Sequence, residues 1–263
     1  MKRTLTAILG IFITCLVYGQ DKIDFDFTRD YDSILKMTKD NSNKLFYSDL
    51  FERFQKVDST LTNYELVALQ IGYTDNPKYY PYQDINLEKE IWSLNENEEF
   101  NLAEKKLDTL LSNNPYNILG HREMSYVQSK LGNKERAHLH YKQFDLILAS
   151  VMSSGDGTSY ETSWFTLSPA DGQLIIKLVF QRAICSIGTG SDHNGNFHDI
   201  LGMKFEDSED CIELFFNIEP ATKRMFGKNG LNINELEDKV DVDENGRVII
   251  KKNEKKKKKK NRN

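Results

Sequence analysis

A spacing of thirty-four residues between similar side chains constrains the fold of this chain more than any other feature. The recurring residues are Ala103, Leu107 and Leu110, then Ala137, Tyr141 and Phe144. Each set follows the i, i+4, i+7 order of one helical face. The small first residue lets two helices approach closely, and the larger ones fill the space beside it. The sequence therefore predicts two consecutive helical hairpins that pack side by side.

The period and the residue types are typical of tetratricopeptide repeats, in which each unit is a pair of antiparallel helices. Pro115 follows the first unit, and Gly132 lies at the turn of the second, although Glu98 at the matching position of the first unit is a mismatch. Ordinary amphipathic hairpins are the alternative, because all packed helices alternate small and large side chains. Two units are fewer than the three that a stack usually needs, so residues 31–83 and the C-terminal part are expected to cap them.

We predict a mainly α protein, with tetratricopeptide-like antiparallel helix hairpins followed by a small strand-containing C-terminal segment. A signal peptide is expected at residues 1–19, the helical domain at 20–151, an α+β segment packed on the helical array at 152–228, and a polar hairpin with a disordered lysine-rich tail at 229–263. Within the α+β segment, Phe197–Phe205 and Cys211–Ile218 are predicted strands, and Ile187–Asn196 is a predicted glycine-rich loop.

The first twenty residues have the layout of a secretory signal. Two basic residues precede an apolar run from Leu5 to Val17, which is shorter than the roughly 20 residues that span a membrane. Cleavage is predicted after Gly19, with lipoprotein processing at Cys15 or an uncleaved anchor as alternatives. We therefore expect an exported protein that is either periplasmic or released.

Removal of the signal leaves two cysteines, Cys185 and Cys211, in a compartment where thiols tend to oxidise. One disulfide between them and two buried free thiols are both consistent with the sequence. Neither cysteine belongs to a CxxC motif or to a recognisable Cys/His pair, so no catalytic role is predicted for them.

Several motifs together resemble one protein family. They are the run from Tyr47 to Thr60, Gly72-Tyr73, Tyr80-Pro81-Tyr82, the hairpins around Ala103 and Ala137, and Gly155–Ser159 with Glu161-Thr162. Over roughly residues 40 to 220, the chain is similar to a family of exported bacterial proteins called domain of unknown function 4919. The resemblance implies a signal, tetratricopeptide-like helices and a short strand-containing end, and it implies no activity.

The net charge of −5 combines an acidic body with basic ends. Because phosphate neutralisation needs clustered Lys and Arg on the folded domain, no nucleic-acid partner is expected. The lysine run after Lys251 could contact an anionic envelope surface, or it could act only as a solubilising end.

Motifs for catalysis or cofactor binding are weak throughout. Asp241–Gly246 begins like a calcium loop, but Lys252 stands where the last carboxylate ligand belongs. The residue types of Asp192, His193, His198 and Asp199 suit a metal, although their spacing does not form a helical ligand pair. His121 is expected on a helix surface. We therefore propose no catalytic residue, no metal and no cofactor.

One aromatic cluster is a candidate binding site. Its members are Tyr73, Tyr79, Tyr80 and Tyr82, which could present anchors to a peptide or glycan, or could instead pack at the edge of the array. The leading prediction is an exported, non-catalytic helical-repeat protein that binds an unknown protein partner through its concave surface and this cluster. The alternative is an envelope hydrolase, or a hydrolase accessory, with a site in the 186–199 loop.

Overall fold

A computed structural model describes residues 23–205, 210–227, 240–242 and 248–250. The helices are α1 Phe27–Met37, α2 Tyr47–Gln55, α3 Asn63–Tyr73, α4 Pro81–Glu96, α5 Phe100–Asn113, α6 Ile118–Lys130, α7 Lys134–Ser153, α8 Pro169–Leu174 and α9 Glu219–Phe226. A π-helical turn, Ile175–Val179, continues α8. The strands are β1 Trp164–Phe165, β2 Ala183–Ser191, β3 Phe197–Lys204, β4 Cys211–Asn217, β5 Val240–Val242 and β6 Val248–Ile250.

The architecture is mainly α with a strand-containing C-terminal part, as predicted. The chain divides into two compact units, Met1–Ala221 and Thr222–Asn263. In the second unit β5 and β6 pair in antiparallel fashion, as expected for the polar hairpin. The predicted signal and the lysine-rich tail lie outside the described residues. Within the described ranges, no helix combines the length and the apolar character that a membrane span requires.

The two predicted hairpins are α4–α5 and α6–α7. Ala103 and Leu107 of α5 are buried in one cluster with Met124 of α6, so the small-and-large pattern does join neighbouring hairpins. Glu98 and Gly132, thirty-four residues apart, both have left-handed backbones, with φ of 58° and 85°. The two units therefore share a left-handed residue at the turn, although the residue types differ.

A third hairpin, α2–α3, comes from the N-terminal side and packs against α7. Helix α3 begins at the Thr62/Glu65 capping box, in which the Thr62 hydroxyl accepts from the Glu65 amide and the Glu65 carboxylate accepts from the Thr62 amide at 2.8 Å. Seven of the eleven residues of α3 are buried, and the Gln70 amide donates to the Ser150 hydroxyl of α7. Residues from the predicted capping segment thus complete the stack.

Helix α8 packs on α4 and α6, which are the first helices of the two repeat hairpins. The Tyr79 hydroxyl donates to the Leu167 carbonyl just before α8 at 2.7 Å. On the other side, an added Cβ on Gly172 of α8 would lie 2.9 Å from side-chain atoms of Leu201 and Phe216 in the sheet. The first helices of both repeat hairpins are therefore in contact with the chain's own C-terminal segment, and the prediction of a partner on the concave surface stays a prediction.

The larger sheet has the order β1-β4-β3-β2, with β1 parallel to β4 and the other pairs antiparallel. The two predicted strands are present as β3 and β4. The prediction of a loop at Ile187–Asn196 is wrong, because β2 continues to Ser191 and Ile187 pairs with Leu201. This strand lies at the sheet edge and buries little, so its sequence lacks the alternating apolar residues by which strands are recognised.

Cys185 of β2 and Cys211 of β4 are joined in a disulfide, with their Cα atoms 6.3 Å apart. Strand β3 lies between these two strands, so the bridge crosses over it at Gly202. A Cβ added to Gly202 would collide with the Cys211 sulfur and would lie 3.0 Å from the Cys185 sulfur. Both cysteines are exposed, which differs from the alternative of two buried thiols.

We expect Gly202→Ala to block this bridge, because the added methyl carbon occupies the space of the sulfur atoms. Loss of a disulfide typically costs about 2–5 kcal/mol of unfolding free energy. Thermal unfolding and thiol titration under non-reducing conditions would measure both effects. Gly188→Ala in β2 is the matched control, because a Cβ there meets nothing closer than 3.7 Å. Normal thiol oxidation in Gly202→Ala would contradict the prediction.

Candidate functional site

An open groove of about 840 Å³ runs along one side of α7. Its floor is α7 from Glu135 to Met152, and its walls carry Val57 and Ser59 after α2 and Leu178, Val179 and Gln181 near the π turn. This volume lies within the range of roughly 300–1,000 Å³ that is usual for ligand pockets. The groove is partly open to solvent.

The groove floor contains two apolar side chains that are unusually exposed. Leu139 is 38% exposed and Tyr141 is 49% exposed. Tyr141 is the repeat equivalent of Leu107, which is fully buried with residues of the following hairpin. In α7 the corresponding contact is not made, because α3 packs on α7 around Ser150 instead. The groove therefore lies where the first helix of a further repeat would pack.

Both walls of the groove depend on residues with a left-handed backbone. Val57 has a φ of 52° and Gln181 a φ of 54°. Glycine or asparagine normally takes this position at a helix end, and for a β-branched residue such as valine the conformation costs about 1–3 kcal/mol. Both side chains line the groove. Strain of this kind clusters at functional sites, which marks the groove as the candidate site.

Charged side chains of both signs line the α7 edge of the groove. Glu135, Lys142 and Asp145 are spaced by seven and three residues along the helix, with His138 between the first two. The Lys142 ammonium lies 4.0 Å from the Asp145 carboxylate. Partial burial raises the pKa of Asp145. Apolar side chains with an edge of both charges are typical of surfaces that hold amphipathic helices.

The groove is not predicted from the sequence, although α7 carries a signal for it. Ala137, Ile147 and Val151 of α7 are buried against the rest of the protein. Leu139 and Leu146 are also seven residues apart, on a second face that lines the groove. A helix with apolar residues on two faces needs two sets of neighbours. The left-handed residues of the walls gave no such signal, because neither valine nor glutamine indicates that conformation.

The predicted tyrosine cluster is not a surface cluster as a whole. Tyr73 and Tyr79 are fully buried, and their rings pack edge to face at 5.5 Å. The Tyr73 hydroxyl donates to the Asn113 carbonyl at 2.6 Å. Tyr82 is half-buried against the same core, and Tyr80 is 44% exposed. Since buried rings cannot contact a partner, Tyr73 and Tyr79 are corrected to core residues.

The residues proposed for a site at 186–199 do not converge on one point. His193 is exposed in the turn after β2, whereas His198 is fully buried. The His198 ring lies 3.1 Å from the Ser163 hydroxyl through Nε2 and 2.9 Å from the Asn196 carbonyl through Nδ1. Asp199 faces the opposite side of β3, and burial raises its pKa to about 6. Among the described residues, no group of three or more His, Cys, Asp or Glu side chains could hold a metal.

His121 is buried, which corrects its expected place on a helix surface. Its Nε2 lies 2.9 Å from the Pro115 carbonyl and its Nδ1 lies 3.0 Å from Nδ1 of His140. Burial lowers the pKa of His121 to about 3, and burial, with a further contribution from Arg136, lowers the pKa of His140 to about 4. The pair is therefore neutral in the folded protein near pH 7.

A family model matches residues 32–225. The chain belongs to the family described as domain of unknown function (DUF4919). The match runs from α1 to α9, so the repeat hairpins, the groove and the disulfide all lie within the DUF4919 domain, while β5 and β6 lie outside it. No curated protein and no solved structure matches this DUF4919 chain.

Because burial keeps both histidines in the neutral form, we expect the free energy of unfolding to fall in acid. Because the pKa of His121 is lower in the folded state than its usual value of 6.5, the unfolded state binds the proton more readily. The contribution of neutral His121 to the free energy of unfolding is complete above pH 6.5 and is lost as the pH falls towards 3. Between pH 7 and pH 5 this amounts to about 2 kcal/mol of unfolding free energy.

The measurement is urea unfolding at several pH values for the wild type and His121→Gln. Glutamine does not titrate and can still donate to the Pro115 carbonyl. The variant should lose less stability than the wild type over this pH range. Parallel pH profiles for the two proteins would show that His121 does not titrate as the burial requires.

Proposed function

We propose that this protein is an exported, non-catalytic interaction module that holds an amphipathic helix of another protein in the α7 groove. The observation that carries the proposal is the exposure of Tyr141 at a position whose repeat equivalent, Leu107, is buried by a neighbouring hairpin. Export rests on the signal-like segment at residues 1–19, which lies outside the described residues.

The repeat geometry favours a helical occupant. Within the stack, the face of α5 that carries Leu107 receives the next helix, α6. The equivalent face of α7 carries Tyr141 and Phe144, and Leu139 lines the groove from the other side of the helix. From Glu135 to Met152 the floor is about 25 Å long at 1.5 Å per residue, which accommodates a helix of about 17 residues.

The charge pattern of the groove favours a protein helix over an acyl chain. The volume alone would also suit a compact ligand, so the charges along α7 carry the distinction. An acyl chain presents a single polar end, whereas the groove edge alternates Glu135, Lys142 and Asp145 along its length. A partner helix with an apolar stripe and flanking residues of both charges complements that edge.

The groove walls support a binding role because two of their residues have a strained left-handed backbone. Glycine at residue 57 or 181 would avoid the left-handed penalty, but it would remove the side chain that lines the groove.

Photo-crosslinking in cells that produce the protein tests the proposal. Leu139 is replaced by p-benzoylphenylalanine, and the product is sequenced by mass spectrometry. We expect a crosslink to a segment of another protein with an apolar helical stripe and charges of both signs. Adding Tyr141→Asp to the same chain should reduce the yield roughly tenfold, because it removes a central aromatic anchor.

Leu102 on α5 is the matched control, because it is an exposed leucine, 43% exposed, away from the groove. Crosslinking of equal yield from position 102 would contradict the proposal. A product that consists only of lipid, or of a second copy of this chain, would assign the groove a different occupant. The absence of any product at position 139 would also overturn it.

A further inference from the structure

The described chain begins beside the C-terminal end of α7, where the floor of the groove also ends. The Ile23 amide donates to the Ser153 carbonyl at 3.2 Å. Met152, the residue before Ser153, lines the groove. Ile23 and Met152 also pack against the same apolar core. Residues 1–22, which lie outside the described residues, therefore join the structure next to one end of the groove.

A short connection limits where the apolar run of the signal-like segment can reach. The run ends at Val17, and only residues 18–22 separate it from Ile23. An extended chain spans at most about 3.6 Å per residue, so Val17 lies within roughly 21 Å of Ile23. The Met152 end of the floor is within this reach, whereas Glu135 lies about 25 Å further along α7. The run can therefore enter the groove at its Met152 end, with its first residues directed towards Glu135.

The length and the spacing of the run fit the floor. As a helix, the thirteen residues from Leu5 to Val17 would be about 20 Å long, against about 25 Å for the floor. At helical spacing, five larger apolar side chains share one face, and small or hydroxyl side chains lie opposite. The first set is Leu5, Ile8, Leu9, Phe12 and Leu16, and the second is Ala7, Gly10 and Thr14. Such a helix would bury its apolar face in the groove and present its small side chains to solvent.

The basic residues before the run match the charge at the far end of the groove. At 1.5 Å per residue, Arg3 would lie about 21 Å from Val17 along the floor. Glu135 lines the groove at this end and is exposed. Lys2 and Arg3 would therefore approach a carboxylate, and this contact favours the direction that the short connection already imposes.

We propose that residues 5–17 occupy the α7 groove before the signal is cleaved, so that the precursor covers its own binding site. The inference rests on the proposed function in one respect, which is that the groove accepts an apolar helix. A segment on a short tether has an effective concentration of about 1 mM, so a Kd of about 0.1 mM would fill the groove in roughly nine of ten chains. Cleavage after Gly19 removes the tether and frees the groove for the partner helix.

Photo-crosslinking of the uncleaved chain tests the proposal. Cell-free translation without membranes supplies the full chain with residues 1–19 intact. Leu139 is replaced by p-benzoylphenylalanine, and the products are mapped by mass spectrometry. We expect a crosslink within one chain from position 139 to residues 5–11, the half of the run that would lie nearest Glu135. The same photo-reactive residue at position 102, which is exposed away from the groove, should give no such product.

Variants of the run itself separate binding to the groove from non-specific apolar contact. Phe12→Asp should reduce the yield of the crosslink roughly tenfold, because it removes an apolar anchor and places a charge in the groove. Thr14→Asp is the matched control on the opposite face and should leave the yield unchanged. On the side of the groove, Tyr141→Asp should reduce the yield to a similar extent as Phe12→Asp.

Four results would overturn the proposal. They are equal yields from positions 139 and 102, no product within one chain at position 139, a product only between two chains, and equal effects of Phe12→Asp and Thr14→Asp. This experiment uses the uncleaved chain alone. A mature protein that crosslinks to no partner helix would therefore contradict the proposed function and leave the result for the precursor unchanged.

Discussion

The packing of α3 against α7 is the contact on which the rest of the structure depends. Helix α3 is buried on nearly all sides, so it can exist only between other elements, and the Gln70–Ser150 hydrogen bond ties it to α7 across 80 residues of sequence. This contact supplies the third hairpin that the two repeat units lack. It also directs α3 towards the end of α7, which leaves Leu139 and Tyr141 exposed. The stability of the stack and the presence of the groove thus have one origin.

The sequence predicted the elements whose signal is local or periodic. The thirty-four-residue period located both repeat hairpins, and the Thr62/Glu65 pair located the start of α3. It could not predict where the N-terminal hairpin packs, because a contact between distant helices leaves no spacing to recognise. It misjudged Ile187–Asn196 because an exposed edge strand need not alternate apolar and polar residues. It placed His121 on the surface because its two hydrogen-bond partners, Pro115 and His140, become neighbours only in the folded protein.

The candidate site was less predictable than the fold, for a related reason. The tyrosine cluster was recognisable as a group of aromatic residues, but a sequence does not distinguish rings that pack inwards from rings that face a partner. Tyr73 and Tyr79 belong to the core, where burial raises the pKa of the Tyr79 hydroxyl well above its usual value. The groove instead depends on Val57 and Gln181, two residue types that rarely adopt a left-handed backbone. Only the tertiary structure shows that both contribute to one surface.

Helical stacks and open sheets share a physical problem, since each ends in an element with an unfilled position. This protein covers most of these positions with its own chain: α2–α3 caps the second hairpin, and α8 covers the face formed by α4 and α6. The positions left open in the described structure include the α7 groove and the outer edge of β2. Charged side chains would keep such positions soluble at little cost, yet Leu139, Tyr141 and Ile187 are all apolar and exposed. The exposed apolar groups of the α7 groove support the proposal that a partner helix continues the array there.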